Sequence, residues 1–258
     1  MKTIYYYQTF IGLNKLLTHI QDIDVIIVSS IHFGERNIYL NDNLPGNSIF
    51  DSLWMETEKA SVQGCKIMIM VGGAGGAYRE LFSDYDIYYP LLKKMIEERS
   101  WISGVDIDVE EGTSIENIQK LIHDLTKDFG EGFTITMAPI APSLQTDGGS
   151  ISGIDYKKLY ESDEGKYIDW FNTQCYDSFT FETYDSIIKN GYLPEKVVMG
   201  MESGQFTEET FGDALDTIKK IKNKYPTVSG IYDWEYLDAP PDKGDPSEWA
   251  RLIKKNSS

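Results

Sequence analysis

Eight short runs of β-branched and aromatic residues alternate with eight helical patterns along the chain. The runs that predict strands cover 3–9, 24–30, 66–71, 103–109, 133–138, 169–175, 196–201 and 229–234. The helical patterns lie near 12–20, 48–63, 85–99, 114–129, 156–162, 184–190, 208–225 and 246–256. Regular alternation of this kind predicts a parallel sheet, because a parallel neighbour can be reached only through a crossover connection, which is usually a helix. We therefore predict an α/β protein.

The number of units favours a closed barrel over an open sheet. Eight strand–helix units within 258 residues match a (β/α)8 TIM barrel, which typically needs about 250 residues. A doubly wound open sheet is the alternative, but it usually has fewer strands and a glycine-rich phosphate-binding turn after the first strand. Here the first predicted strand ends with Gln8, Thr9 and Phe10, and no such turn follows. No low-complexity linker divides the chain, so we predict one barrel domain over 1–258.

The fourth predicted strand carries three acidic residues at alternate positions. Because strand side chains alternate between faces, Asp106, Asp108 and Glu110 should point to one side, and the apolar residues between them to the other. Like charges at ~7 Å spacing in a low-dielectric setting repel, so at least one carboxyl should keep its proton at neutral pH. Proteins accept that arrangement mostly where acid–base chemistry or a metal ion requires it. A divalent-cation site is the alternative; the absence of a histidine nearby in sequence, together with a tyrosine and a tryptophan at the matching ends of other strands, disfavours it.

Polar and aromatic residues follow other predicted strands at the corresponding end. The sixth strand ends with the segment from Gln174 to Asp177, the eighth ends at Trp234, and the third ends in Gly72-Gly73. In barrels of this type, the chemistry lies at the carboxyl ends of the strands. We therefore expect these residues to surround the acidic strand.

Together these segments resemble glycoside hydrolase family 18, the chitinases and endo-β-N-acetylglucosaminidases. The motifs, in chain order, are Val71-Gly72-Gly73, Gly104-Val-Asp-Ile-Asp-Val-Glu110, Met137-Ala138-Pro139, Gln174-Cys-Tyr-Asp177 and Trp234. The chain departs from the family pattern at two positions: Ser103 stands where the first Asp of the acidic motif is usual, and Met70 where the third strand usually has Ser. These departures bear on the proton affinities of the carboxyl groups.

The resemblance implies roles for four catalytic residues. Glu110 would be the general acid that protonates the glycosidic oxygen, and then the base that activates water. Asp108 would hold and polarise the 2-acetamido group of the substrate, whose oxygen attacks the anomeric carbon in place of an enzyme nucleophile. Asp106 would pair with Asp108 and share a proton. Tyr176 would donate a hydrogen bond to the attacking oxygen.

The resemblance also implies a set of substrate-binding residues. Trp234 would form an apolar floor under the distorted sugar, and Gln174 and Asp177 would contact its polar edges. The complete predicted set is Trp234, Gln174, Asp177, Met137, Gly73 and Tyr7. No metal and no cofactor is expected.

The implied function is retaining, substrate-assisted endo-hydrolysis of β-1,4-linked N-acetylglucosamine in chitin or chitooligosaccharides. Cleavage of the chitobiose core of N-glycans is one alternative, because it presents the same N-acetylated sugar. A non-catalytic sugar-binding or inhibitor protein is the other; such relatives commonly lack one of the catalytic residues, whereas Glu110, Asp108 and Tyr176 are all present. Larger family members carry an insertion after the seventh strand, but here only six residues, Glu202–Thr207, precede the next predicted helix. We therefore expect a single catalytic domain with a shallow, open groove.

Charge and hydropathy restrict the expected partners. A net charge of −17 disfavours nucleic acid and anionic membranes, and is compatible with an uncharged oligo- or polysaccharide. The apolar runs are of strand length, so no transmembrane helix is expected. We also expect the protein to be a monomer. The segment Met1–Gln8 predicts a first strand and not an export signal. Both a cytoplasmic location and secretion by another route remain open.

Overall fold

Eight parallel strands close into a barrel, and a ninth strand pairs with one of them in the antiparallel sense. The computed structural model describes residues 1–146 and 149–257, the last of these without its side chain. The strands are β1 (Lys2–Tyr7), β2 (Val25–Gly34), β3 (Asn37–Leu40), β4 (Lys66–Gly72), β5 (Ile102–Asp108), β6 (Thr134–Met137), β7 (Trp170–Gln174), β8 (Val197–Glu202) and β9 (Gly230–Trp234). Their order is β1-β9-β8-β7-β6-β5-β4-β2-β3, and pairing of β1 with β2 closes the ring. The predicted barrel is confirmed.

Helices follow the barrel strands and pack around the ring. They are α1 (Asn14–Leu17), α2 (Asp51–Val62), α3 (Tyr78–Ser83), α4 (Tyr85–Glu97), α5 (Ile115–Phe129), α6 (Tyr156–Tyr160), α7 (Phe181–Lys189), α8 (Phe211–Lys224) and α9 (Glu248–Ser257). The segment between β8 and α8 is a short loop, so the barrel has no insertion domain there, as predicted. Within the described ranges, no helix combines the length and hydropathy needed to cross a membrane.

The β2–β3 hairpin was not predicted. The last four residues of β2, Ile31 to Gly34, pair with β3 in the antiparallel sense. The turn between them consists of Glu35 and Arg36, both with positive φ, at 48° and 60°. Hairpin turns of two residues require this left-handed conformation and usually recruit Gly or Asn for it. Because neither residue is present in the turn, the sequence carries no recognisable hairpin signal.

Helix α5 begins at Ile115, one residue after the start of the predicted helical pattern. Ser114 is the N-cap residue, and its side chain accepts a hydrogen bond from the Asn117 backbone N–H at 3.2 Å. One face of this helix is apolar and buried, at Ile118, Leu121, Ile122 and Leu125. A cap followed by a periodic apolar face explains why this helix forms and which side of it faces the barrel.

The strands separate two apolar layers. Inside the ring lie Ile4, Tyr6, Val25, Ile27, Met68, Met70, Trp170, Val198 and Tyr232. The larger outer layer, between strands and helices, takes the residues of opposite parity, such as Tyr5, Tyr7 and Met137. Since successive side chains alternate faces, this division decides which residue of each strand can reach the mouth of the barrel.

Candidate active site

The three acidic residues of β5 and its end form a ladder inside the barrel, as the alternation predicted. Asp106 is fully buried, Asp108 is 5% exposed, and Glu110 is half-buried just beyond the strand. Burial penalises the charged form and raises the pKa of Asp106. The pKa of Asp108 lies well above its ordinary value, first because of burial and then because of the neighbouring charges of Glu110 and Asp106. Asp108 is therefore the carboxyl most disposed to keep a proton.

Asp106 is held by donors from three strands. Its Oδ2 accepts a hydrogen bond from the Tyr6 hydroxyl at 2.6 Å. Its Oδ1 accepts from Thr136 Oγ1 at 2.5 Å and from Asn172 Nδ2 at 3.0 Å. Each bond lowers the pKa of Asp106 and opposes the larger effect of burial. Asp106 thus acts on Asp108 through its charge and makes its hydrogen bonds to these other side chains.

Gln174, at the end of β7, connects the two outer carboxyl groups. Its Nε2 lies 3.3 Å from Asp108 Oδ1 and 3.3 Å from Glu110 Oε1. The same nitrogen donates to the Ala138 carbonyl oxygen at 2.9 Å, which fixes the direction of the amide. One amide hydrogen is thus directed to Ala138, and the other lies between the two carboxyl groups, which brings both to the same space at the mouth of the barrel.

Aromatic side chains lie inside the barrel next to the ladder. The Trp234 ring lies 5.3 Å from the Tyr6 ring, centroid to centroid, and Tyr6 lies 5.0 Å from Tyr232. Tyr232 donates its hydroxyl hydrogen to the Tyr176 oxygen at 3.2 Å. Burial raises the pKa of Tyr176 well above its ordinary value, so the phenol stays protonated at neutral pH. Because its oxygen already accepts from Tyr232, its own hydrogen is available for a ligand.

Gly73 leaves space beside Asp108. Its φ is 81°, a region that favours glycine, and a Cβ there would lie 3.3 Å from Asp108 Oδ2 and 2.8 Å from Met70 Cε. The Gly73 backbone N–H donates to the Asp108 carbonyl oxygen at 3.0 Å. Predicted residue Gly73 is thus part of the same cluster as the ladder. Asp177 is exposed in the turn after β7, at the same end of the barrel.

Two predicted substrate contacts lie on the wrong face. Met137 is fully buried in the outer layer, because Thr136 of the same strand points inward to Asp106. Tyr7 is buried in the outer layer too, and its hydroxyl accepts from the Gly12 backbone N–H at 2.7 Å. Both predictions are corrected: strand alternation turns these side chains away from the mouth and towards the helices.

Sequence reasoning missed the residues that hold Asp106, namely Tyr6, Thr136 and Asn172. Each lies on a different strand at the parity that faces the interior. The available signal was Asn172, a polar residue two positions before Gln174 and therefore on the same face of its strand. A buried carboxyl needs donors, so polar residues at inward positions of neighbouring strands are the place to search.

In the described part of the chain, the carboxyl ladder does not belong to a cluster with the arrangement of a metal site. Over 1–146 and 149–257, no three His, Cys, Asp or Glu side chains stand together in a way that could hold a metal ion. What the cluster offers chemically is a buried carboxyl pair, a half-exposed carboxyl, a phenol donor and an aromatic surface around one space. These groups can donate and accept protons and can contact an uncharged, amide-bearing ring.

Comparison with known proteins agrees with the geometry. Residues 2–249 match the family model described as Glycosyl hydrolases family 18. A fungal endo-β-N-acetylglucosaminidase of that family is 31% identical, with 99% of this chain and 98% of that chain covered and a TM-score of 0.89. Chitinase ChiC from Aspergillus fumigatus is 30% identical, with 100% and 99% covered and a TM-score of 0.85. Chitinase 63 of Streptomyces plicatus is 27% identical over 185 residues, and the match covers 64% of this chain but only 27% of that protein.

Proposed function

Because the chain belongs to glycosyl hydrolase family 18, we propose that it hydrolyses β-1,4-linked N-acetylglucosamine in chitin or chitooligosaccharides, by endo cleavage with retention of configuration. One observation carries the proposal: the Asp106–Asp108–Glu110 ladder shares the mouth of the barrel with Tyr176 and Trp234. The matched segments span only 27% and 21% of the length of the two curated relatives. The activity, substrate and partners of this chain are therefore stated as proposals.

Glu110 is the proposed general acid and base. It is the outermost carboxyl of the ladder and only half-buried, so it can reach the oxygen that links two sugars. It would first protonate that oxygen and then take a proton from the incoming water. The Gln174 amide, 3.3 Å from Glu110 Oε1, supports the orientation needed for both steps.

Asp108 and Tyr176 are proposed to act on the substrate acetamido group. In substrate-assisted hydrolysis that group supplies the nucleophilic oxygen, and no enzyme–sugar bond forms. The Asp108 carboxylate would accept a hydrogen bond from the acetamido N–H. It would also stabilise the positive charge that develops on the acetamido nitrogen. The free hydroxyl hydrogen of Tyr176 would bind the attacking oxygen. Asp106, beneath Asp108, would share the proton that the pair must hold.

Trp234 is proposed to carry the apolar face of the reacting sugar, with Gln174 and Asp177 at its polar edges and Gly73 beside its acetamido group. The residues from 1 to 258 would form one catalytic domain and act as a monomer. The short loop between β8 and α8 leaves the groove open on that side, which favours attack within a chain over threading from an end.

Cleavage of the chitobiose core of N-glycans is the second candidate. The observation that favours it is the 31% identity, over nearly the full length of both chains, to a fungal protein described as an endo-β-N-acetylglucosaminidase. The chitinase ChiC from Aspergillus fumigatus is similar at 30%. Both substrates present the same sugar to the ladder, so the choice depends on residues farther along the groove. A non-catalytic sugar-binding protein is the less favoured reading, since the proposed acid, its neighbouring carboxyl and the phenol are all in position to act.

The test is digestion of a defined chitooligosaccharide and an N-glycopeptide by wild type and Glu110→Gln. The wild type should cleave the chitooligosaccharide faster, and the variant should lose at least ~10²–10⁴-fold in turnover, because its amide cannot transfer the proton. Glu116→Gln makes the same chemical change at an exposed position in α5 and should leave turnover unchanged. Near-wild-type turnover of Glu110→Gln would refute the assignment, and faster cleavage of the glycopeptide would support the second candidate.

A further inference from the structure

Ser203, in the loop between β8 and α8, contacts three consecutive residues around Trp234. Its backbone N–H donates to the Trp234 carbonyl oxygen. Its hydroxyl oxygen lies 2.6 Å from the Glu235 carbonyl oxygen and 2.7 Å from Asp233 Oδ2. The backbone on both sides of the indole is therefore connected to one serine.

The protons available to these groups determine how the contacts form. A serine hydroxyl has one hydrogen to donate, and the peptide carbonyl of Glu235 can only accept. If the hydroxyl donates to that carbonyl, its contact with Asp233 is a hydrogen bond only when the carboxyl supplies a hydrogen of its own. An ionised Asp233 would instead compete with Glu235 for the single serine hydrogen. Both short contacts can be full two-centre hydrogen bonds at the same time only when Asp233 is protonated.

The surroundings of Asp233 favour that neutral form. The residue is fully buried, and its second oxygen, Oδ1, has no hydrogen-bond partner among the described residues. Burial raises the pKa of Asp233 well above its ordinary value, and the acidic groups Glu235 and Asp238 add to the rise, whereas a hydrogen bond that Ser203 donates to the ionised carboxyl would lower it. The phenols of Tyr5 and Tyr176 also lie within electrostatic reach and carry no charge at neutral pH.

We propose that Asp233 and Ser203 are positioning residues for Trp234, and that a hydrogen-bond relay from the Asp233 carboxyl through the Ser203 hydroxyl to the Glu235 carbonyl fixes the backbone that carries the indole. The part played by the indole in sugar binding rests on the proposed function; the relay itself does not. On the far side, the Glu235 carboxylate accepts from the backbone N–H groups of Gln8 and Thr9, at 3.0 and 3.3 Å. The segment is thus held to β8 by the relay and to the end of β1 by Glu235.

The first experiment compares Asp233→Asn with Ser203→Ala in chitooligosaccharide hydrolysis. An amide can still donate to the Ser203 oxygen but cannot ionise, so Asp233→Asn should keep KM within about twofold of wild type. Ser203→Ala removes the centre of the relay, and KM should rise roughly five- to tenfold, the equivalent of one lost hydrogen bond, with a smaller change in kcat. A wild-type KM for Ser203→Ala, or equal losses in both variants, would overturn the proposal.

The second experiment needs no substrate and follows urea unfolding midpoints against pH. A carboxyl whose pKa is raised in the folded state binds a proton there that the unfolded chain releases, so its stabilising contribution is complete at low pH and is lost as pH rises through the folded pKa. Asp233→Asn should therefore show a shallower loss of stability with rising pH than wild type. Asp106 and Asp108 contribute in the same direction in both proteins, so they cancel from the difference.

Asp216→Asn, at an exposed position of α8, is the matched control and should keep the wild-type slope. An unchanged slope in Asp233→Asn would mean that the carboxyl is ionised when folded and would overturn the relay. If the wild type cleaves no N-acetylated substrate, the proposed function fails, and the unfolding comparison still decides the relay separately. Should Ser203→Ala not fold, the two aspartate variants suffice for that decision.

Discussion

Tyr6 and Tyr7 are identical neighbours with opposite surroundings. The Tyr6 hydroxyl donates to buried Asp106 inside the barrel, whereas the Tyr7 hydroxyl binds the Gly12 backbone on the helix side. Replacing either tyrosine by phenylalanine removes one hydrogen bond, and the two bonds are of similar length, 2.6 and 2.7 Å. The two sites thus separate the effect of a lost bond on stability from its effect on the carboxyl ladder.

At this scale, we predict that Tyr6→Phe moves the acid limb of the kcat/KM profile to higher pH, while Tyr7→Phe does not. The hydrogen bond from Tyr6 favours ionised Asp106, so its loss raises the pKa of Asp106 and of the coupled pair. Both variants should lose about 1 kcal/mol in the free energy of unfolding. The check is a set of pH–rate profiles beside urea titrations; an identical acid limb in wild type and Tyr6→Phe would contradict the role given to Asp106.

At the scale of elements, the end of β4 approaches β5 so closely that a side chain cannot fit between them. Gly72 has a φ of 99°, and a Cβ there would lie 2.1 Å from the Asp108 carbonyl oxygen and 2.6 Å from Tyr78 Cε2. The Tyr78 hydroxyl donates to the Val71 carbonyl at 2.6 Å, which keeps its ring against this turn. The close approach holds Asp108 next to Gly73.

We predict that Gly72→Ala destabilises the fold by about 2–5 kcal/mol, the sum of left-handed strain and overpacking. Gly132→Ala is the matched control, because Gly132 has a similar φ of 95°, but no atom of the described part of the chain lies within 4 Å of a Cβ built there. The control should lose only about 1–2 kcal/mol. Urea unfolding of the two variants measures the difference, and equal losses would mean that strain alone explains the Gly72 result.

The elements also show how far sequence reasoning reaches. The β5 ladder was predictable because acidic and apolar residues alternate there, so the pattern itself reveals which side faces inward. In β1 three consecutive tyrosines conceal the alternation. Strands that are buried on both faces have no polar side from which the inward-facing residues could be recognised. The sequence therefore predicts Tyr7 as a substrate contact, whereas Tyr6 is the tyrosine whose side chain faces the ladder. The hydrogen bonds to Asp106 come from strands distant in sequence, and only the closed ring brings them together.

For the molecule as a whole, the barrel concentrates acidic groups without offering a set of metal ligands in the described ranges. Asp106 and Asp108 both have raised pKa values, so each binds a proton more readily than an ordinary carboxyl, and a proton shared by the pair would lower the charge of the ladder without a cation. We predict that extensive dialysis against EDTA leaves the hydrolysis rate and Tm unchanged relative to a parallel dialysis without chelator. Loss of activity that Ca²⁺ or Mg²⁺ restores would instead indicate a metal site.

The central claim is that the substrate provides its own nucleophile, and the configuration of the first product tests it most directly. Attack by the acetamido oxygen followed by attack of water is two displacements at the anomeric carbon, so configuration is retained. Proton NMR during early hydrolysis of a chitooligosaccharide, before mutarotation equilibrates the product, should show the β-anomer first. An initial α-anomer would mean a single displacement by water, and the role proposed for Asp108 would have to be abandoned.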